Sequence, residues 1–161
     1  MKRGFKIVSL KIFEKETKEG ILYDKIKLPV RKTEKSAAYD FILYKKIEIK
    51  PNQILKIATG VKAYMQNDEV LLLAVRSSTG FRYNIRLCNQ IGIIDADYYN
   101  NEENEGHIWL AIQNEGDKTV VFEEGQALVQ GLFINYLKSD DEIKVNRKGG
   151  LGSTDRRNTD D

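Results

Sequence analysis

Three clusters of polar side chains in this sequence have types and spacing suited to chemistry on an anionic substrate. Arg76-Ser77-Ser78-Thr79-Gly80 follows an apolar run and opens the one stretch, Ser77 to Arg86, that looks like a short helix. Arginine is a permanent cation with a planar fork of donors, and hydroxyls beside the first N–H groups of a helix can complete an anion site. The same residues would also serve as a helix cap with a surface arginine. The second cluster is Asn89-Gln90-Ile91-Gly92-Ile93-Ile94-Asp95-Ala96-Asp97-Tyr98-Tyr99. Two carboxylates two residues apart would share one face of a strand, where one could act as a general base or meet a hard cation through oxygen. In a turn they would simply be solvated. The third, Ser36-Ala37-Ala38-Tyr39-Asp40-Phe41, sets Asp40 among apolar and aromatic neighbours. A carboxylate there is costly without a partner, and Arg76 or a metal ion could supply one. Anion-binding elements beside acids able to hold Mg²⁺ point to a phosphorylated substrate.

The elements that must position these residues are short and β-rich. Runs at Phe5–Phe13, Ile47–Ile49, Gln53–Ala58, Gly60–Met65, Val70–Val75, Gly92–Ile94, His107–Ile112, Thr119–Phe122 and Ala127–Leu137 alternate with polar breaks. Ile47 and Ile49, and Val61, Ala63 and Met65, recur with the period of two that marks half-buried strands. Leu71-Leu72-Leu73-Ala74-Val75 is continuous and predicts a strand buried on both sides. Breaks such as Pro51-Asn52, Asn67-Asp68 and Glu123-Glu124-Gly125 carry turn-forming residues. An all-β sandwich, jelly roll or barrel is expected, with a core over residues 1–137. Residues 138–161 form the expected flexible tail: six basic and six acidic side chains, few apolar ones, and Gly149-Gly150-Leu151-Gly152-Ser153-Thr154. Such a segment cannot build a core, but its glycines allow backbone N–H groups to approach phosphate.

Composition narrows the function classes. The chain has 161 residues, net charge +2, 41% hydrophobic and 31% charged side chains, which fits one ordinary folded domain. No apolar run is long enough for a bilayer, and no long apolar stretch follows the basic start, so neither a membrane nor a secretory signal is expected. One cysteine, Cys88, and one histidine, His107, exclude an internal disulfide, a cysteine zinc site and a multi-histidine metal site. A cytoplasmic protein is the expectation. Residues 1–36 carry net +6 and residues 95–124 net −8, but the basic block shows the interleaved aromatics of a nucleic-acid surface only weakly, and no nucleic acid is expected. Trp109 is expected in the core or an interface, Cys88 as a small packing residue, and His107 at the surface or a strand edge.

The order of the clusters is informative as a set. Ser36 to Phe41, Arg76-Ser77-Ser78, Gly92-Ile93-Ile94-Asp95-Ala96-Asp97-Tyr98, Gly125-Gln126-Ala127-Leu128-Val129-Gln130 and Arg147-Lys148-Gly149-Gly150-Leu151-Gly152-Ser153-Thr154 resemble the five motifs of trimeric dUTP pyrophosphatases, in the family's order. Lys2-Arg3-Gly4-Phe5 and the segment from Tyr98-Tyr99-Asn100 to Gly106-His107-Ile108 resemble a Gram-positive or phage-type branch. The resemblance implies a β-clip or jelly-roll-like fold, a homotrimer with shared sites, and Mg²⁺-assisted hydrolysis of dUTP to dUMP and pyrophosphate. It further implies that Asp95 activates water. Asp40 would be tied to the metal's water shell and to Arg76. Arg76, Ser77 and Ser78 would contact phosphates, and Gln130 the α-phosphate. Tyr98 would pack on deoxyribose, while Asn89 and the hairpin backbone through Ile93 and Ile94 would read uracil. Arg147, Gly152, Ser153 and Thr154 would grip phosphate from the tail, with Leu151 over the base.

Some positions depart from the family pattern. Ala38, Asn84 and Cys88 stand where glycine is common, and Val75 where proline is common. Leu151 replaces an aromatic and so loses its π-face, and Asp155 replaces the last glycine. Two alternatives share the fold: a dCTP deaminase or bifunctional relative, and a dUTPase-like regulator that binds a protein partner. The deaminase would need a catalytic glutamate within Gly106 to Ile112, which has none.

Overall fold

The computed structural model describes residues 1–140, and its eleven strands bear out the all-β expectation. The main sheet has four antiparallel strands in the order β2 (Tyr39–Ile42), β11 (Ala127–Asn135), β6 (Glu69–Val75), β8 (Gly92–Asp95). A three-stranded sheet pairs β4 (Ile54–Ala58) and β7 (Ile85–Leu87) on either side of β9 (Trp109–Asn114). Two ribbons complete the fold: β1 (Gly4–Ile7) with β5 (Val61–Tyr64), and β3 (Ile47–Ile49) with β10 (Val120–Phe122).

One expected strand is instead part strand and part helix. The run Phe5–Phe13 divides into β1 and a helix, α1 (Leu10–Thr17). Ser9 causes the break: its side chain accepts the Ile12 N–H at 3.3 Å, an N-cap that satisfies one of the first-turn donors. Phe13 is the fully buried residue of α1, and the other side chains are mostly charged, so apolar content alone was a poor guide. A 3-10 turn over Gly20–Lys25 was likewise not expected. The helix expected around Ser77–Arg86 is α2 (Ser77–Tyr83). It ends on Asn84 at φ 51°, a left-handed cap that asparagine tolerates, and residues 85–87 return to strand.

Register fixes the two faces of the main sheet. Leu71, Leu73, Phe41, Leu128 and Val129 are buried in the core. Gly131 lies on the inner face because a Cβ there would stand 2.9 Å from the Phe41 ring. The other face carries three rows: Asp40, Gln130 and Ala74; Leu132, Leu72 and Ile93; Ile134, Val70 and Asp95. Thus β6 is not buried on both sides within the chain: Leu72 is half-buried and Ala74 exposed. The outer face is nonetheless apolar, with Leu132, Ile134 and Ile93 all exposed.

His107 corrects another expectation. It is fully buried rather than at the surface. Its Nε2 accepts the Gly60 N–H at 2.9 Å, which leaves the proton on Nδ1 to donate to Glu16. Trp109 is half-buried beside it and donates its indole N–H to the same carboxylate at 3.0 Å. Burial lowers the His107 pKa, and the Glu16 bond offsets this in part.

Candidate active site

Asp40 and Arg76 meet as their neighbourhoods suggested. Asp40 pairs with Gln130 across β2 and β11, and Gln130 pairs with Ala74 across β11 and β6. The chain then turns at Arg76, which caps α2 and is locked by its N–H to Leu128 O at 2.9 Å and its Nη1 to Ala127 O at 3.0 Å. Arg76 Nε lies 3.2 Å from Asp40 Oδ1. The Asp40 side chain is 7% exposed and that of Arg76 33%, so the cation keeps a solvent-facing edge for an incoming anion. Gln130 Nε2 lies 3.4 Å from Val75 O, which holds the amide over the same corner. Ser77 and Ser78 occupy the first turn of α2, the former exposed and the latter half-buried.

Asp40 Oδ2 is buried and has no hydrogen-bond partner among the described residues. Leaving a carboxylate oxygen so placed is unfavourable, which fits a site that a donor enters with the substrate. No group of three or more His, Cys, Asp or Glu side chains among the described residues could hold a metal ion. One carboxylate at this corner is compatible with Mg²⁺, which keeps several waters and is commonly held between one or two carboxylates and substrate phosphates.

The second cluster sits elsewhere on the same sheet face. Asp95 ends β8 opposite Val70 and is exposed; the chain then enters a 3-10 turn, Ala96–Tyr98. Asp97 therefore does not share a strand face with Asp95, as its spacing suggested. Ile93 is 64% exposed and Ile94 half-buried. Asn89 is exposed in the turn before β8, and Gln90 there adopts φ 62°. The two arms flanking this turn do not pair with each other: β7 bonds to β9 and β8 to β6, so the expected hairpin bridges two sheets. Tyr98 is 6% exposed, and its hydroxyl donates to His107 O at 3.0 Å. Arg147, Leu151, Gly152, Ser153 and Thr154 lie outside the described residues.

An arginine–carboxylate corner beside short hydroxyls on an antiparallel sheet, with a second acid displaced along it, is chemically suited to an anionic substrate. The comparisons with known proteins narrow the class. The dUTPase family model matches residues 24–159, and the chain belongs to the dUTPase family. It is 41% identical over 155 residues to the deoxyuridine 5'-triphosphate nucleotidohydrolase of Lactococcus lactis subsp. lactis, covering 94% of this chain and 97% of that protein. The crystal structure of dUTPase from Streptococcus mutans is 41% identical, with TM-score 0.70 over 86% of this chain and 99% of that one. The dUTPase of phage phi11 of S. aureus shares the fold at 16% identity, with TM-score 0.67 over 92% of this chain and 99% of that one. One mutant structure of the phi11 protein describes coordination of a structural Mg(II) ion.

The segment from Tyr98 to Ile108 stood out in the sequence only by resemblance, with no role for the residues of the loop that encloses Tyr98. Asn101, Asn104 and Gly106 carry its internal bonds, and the signal available was the Asn-Asn-x-x-Asn-x-Gly pattern of residues 100–106, rich in side chains that bond to nearby backbone.

Proposed function

We propose that this chain hydrolyses dUTP to dUMP and pyrophosphate, with water attacking the α-phosphorus. The observation that carries the reading is the pairing of buried Asp40 with half-buried Arg76, one carboxylate oxygen being without a hydrogen-bond partner among the described residues, set beside Gln130 in a member of the dUTPase family. Asp95 orients the attacking water and takes its proton as the bond to the α-phosphorus forms. The bond from that phosphorus to the bridging oxygen breaks, and pyrophosphate leaves with the electron pair. Arg76, Ser77 and Ser78 bind phosphate oxygens, and Gln130 contacts the α-phosphate. Mg²⁺, when bound, offsets charge on the triphosphate, and Asp40 would hold it through water. Asn89 and the backbone through Ile93 and Ile94 receive uracil. Tyr98 lies against deoxyribose and excludes a 2′-hydroxyl. Arg147, Gly152, Ser153 and Thr154 close on phosphate, with Leu151 over the base.

The working unit is a homotrimer with shared sites. Asp40 and Asp95 lie four residues apart along the sheet and three strands apart across it. At ~3.3 Å per residue and ~4.8 Å per strand that separates them by about 19 Å, too far to act on one phosphorus. A neighbouring copy must bring the second acid, and the apolar outer face offers Leu72, Leu132 and Ile93 for that contact. Hydrolysis in ¹⁸O-water tests the chemistry: label in dUMP supports attack at the α-phosphorus, and label in pyrophosphate refutes it.

A further inference from the structure

Tyr98 is held at both ends by one short loop. Its carbonyl accepts from Asn101 Nδ2 at 2.8 Å. Its hydroxyl donates to His107 O at 3.0 Å and accepts from Asn104 Nδ2 at 2.9 Å. The orientation of the Asn104 amide is determined by its neighbours. Oδ1 faces two donors, the Gly106 N–H at 3.0 Å and Asn101 Nδ2 at 2.9 Å, so the NH₂ group must face the tyrosine. Asn104 and Tyr98 are each 6% exposed, so water does not readily replace this bond. Gly106, at φ +81°, lets the loop close: a Cβ there would stand 2.5 Å from Tyr98 O. The loop is pinned from outside by Glu105, whose Oε2 accepts the Ser9 N–H at 3.0 Å and Lys62 Nζ at 2.8 Å. Lys62 also reaches Asn100 Oδ1 at 2.8 Å.

A tyrosine side chain has two soft torsions: anchoring its hydroxyl fixes χ1 and so where the ring stands, and burial of the ring at 6% exposure restrains its rotation. Excluding one extra oxygen on a sugar requires a wall that does not yield by about an ångström. We propose that Asn104 is a positioning residue for sugar selection: its amide holds the Tyr98 ring rigid, and the preference for dUTP over UTP depends on that bond. The inference rests on Tyr98 lying against the deoxyribose.

The test measures kcat/KM for dUTP and UTP in the full-length protein and follows their ratio. Tyr98→Ala should collapse the ratio; if it does not, the sugar-gate reading falls and this inference with it. Asn104→Asp is nearly isosteric and keeps the acceptor for Gly106 but cannot donate to the tyrosine, whose hydroxyl could then meet residue 104 only by giving up His107 O. Tyr98→Phe removes the same bond from the other side, together with the hydroxyl's bond to His107 O, and leaves the bonds of Asn104 to Asn101 and Gly106 in place, so it stays informative if the Asn104 variant folds poorly. Each should lower the dUTP/UTP ratio about tenfold, mainly through faster UTP turnover, and Asn104→Asp should add nothing in the Tyr98→Phe background. A collapse with Tyr98→Ala but an unchanged ratio in both other variants overturns the role of Asn104 and leaves the gate standing. Equal losses for both nucleotides in Asn104→Asp would show a merely structural residue and also overturn it.

Discussion

Two inactive forms of this chain should repair each other. Asp95→Asn removes the proposed base and Asp40→Asn the acid that pairs with Arg76, and each alone should cost at least tenfold in turnover. Within one chain the two positions are about 19 Å apart by sheet register, whereas a general base must lie within about 3 Å of a water that is itself near the phosphorus. If both acids serve one phosphorus, each site takes Asp40 from one subunit and Asp95 from another. If the two variants are mixed equally and assembled at random, a site is intact when its Asp40 comes from an Asp95→Asn chain and its Asp95 from an Asp40→Asn chain. Each condition holds half the time, so about one quarter of wild-type activity should return. The assay is pyrophosphate release by co-refolded or co-expressed mixtures at several ratios, with a maximum at equal amounts. If both residues served from the same chain, every site would carry one defect. Activity would then stay at the level of the single variants at all ratios, and the shared-site argument would fail.

Other expectations follow from the same geometry. Asp95→Asn should retain dUTP binding, measured by calorimetry, while losing roughly 10²–10⁴-fold in turnover, because the amide cannot accept a proton. Ile93→Glu places a charge on the apolar outer face and should shift sedimentation toward monomer with loss of activity; an intact, active trimer would remove that face from the interface. His107 has its pKa lowered by burial, so the unfolded chain binds the proton more readily. Stability should therefore be full above about pH 6.5 and fall as pH drops below it. Denaturation at pH 7.5 and 5.5 checks this, and a flat profile would contradict the buried neutral imidazole. Glu105 is pushed upward by burial, but Lys62 and Ser9 more than offset this and bring its pKa to about 2. Its contribution should hold above about pH 5 and be lost as pH falls toward 2, and Glu105→Gln should reduce that acid sensitivity. Truncation after Lys144 should preserve thermal unfolding but cut dUTP turnover sharply, through loss of Arg147, Ser153 and Thr154.

The legibility of the fold followed the strength of local signals. Alternation at Ile47 and Ile49 and the long run ending β11 were readable because burial on one face imposes a period of two. The segment beginning at Phe5 misled because one N-cap serine outweighed its apolar content. His107 looked peripheral because nothing local announces a partner as distant in sequence as Glu16 or Gly60. The Asp40–Arg76 pair was foreseeable from the cost of a buried carboxylate. The separation of Asp40 from Asp95 was not: it depends on β11 and β6 lying between β2 and β8, a non-local pairing with no local signature.

The central claim is that this corner of the sheet serves dUTP. It is tested most directly by pyrophosphate release from dUTP with Mg²⁺, run beside dTTP, dCTP and UTP under the same conditions. The account predicts rapid release from dUTP and rates lower by orders of magnitude from the other three. Comparable rates for all four, or deamination of dCTP without pyrophosphate release from dUTP, would contradict it.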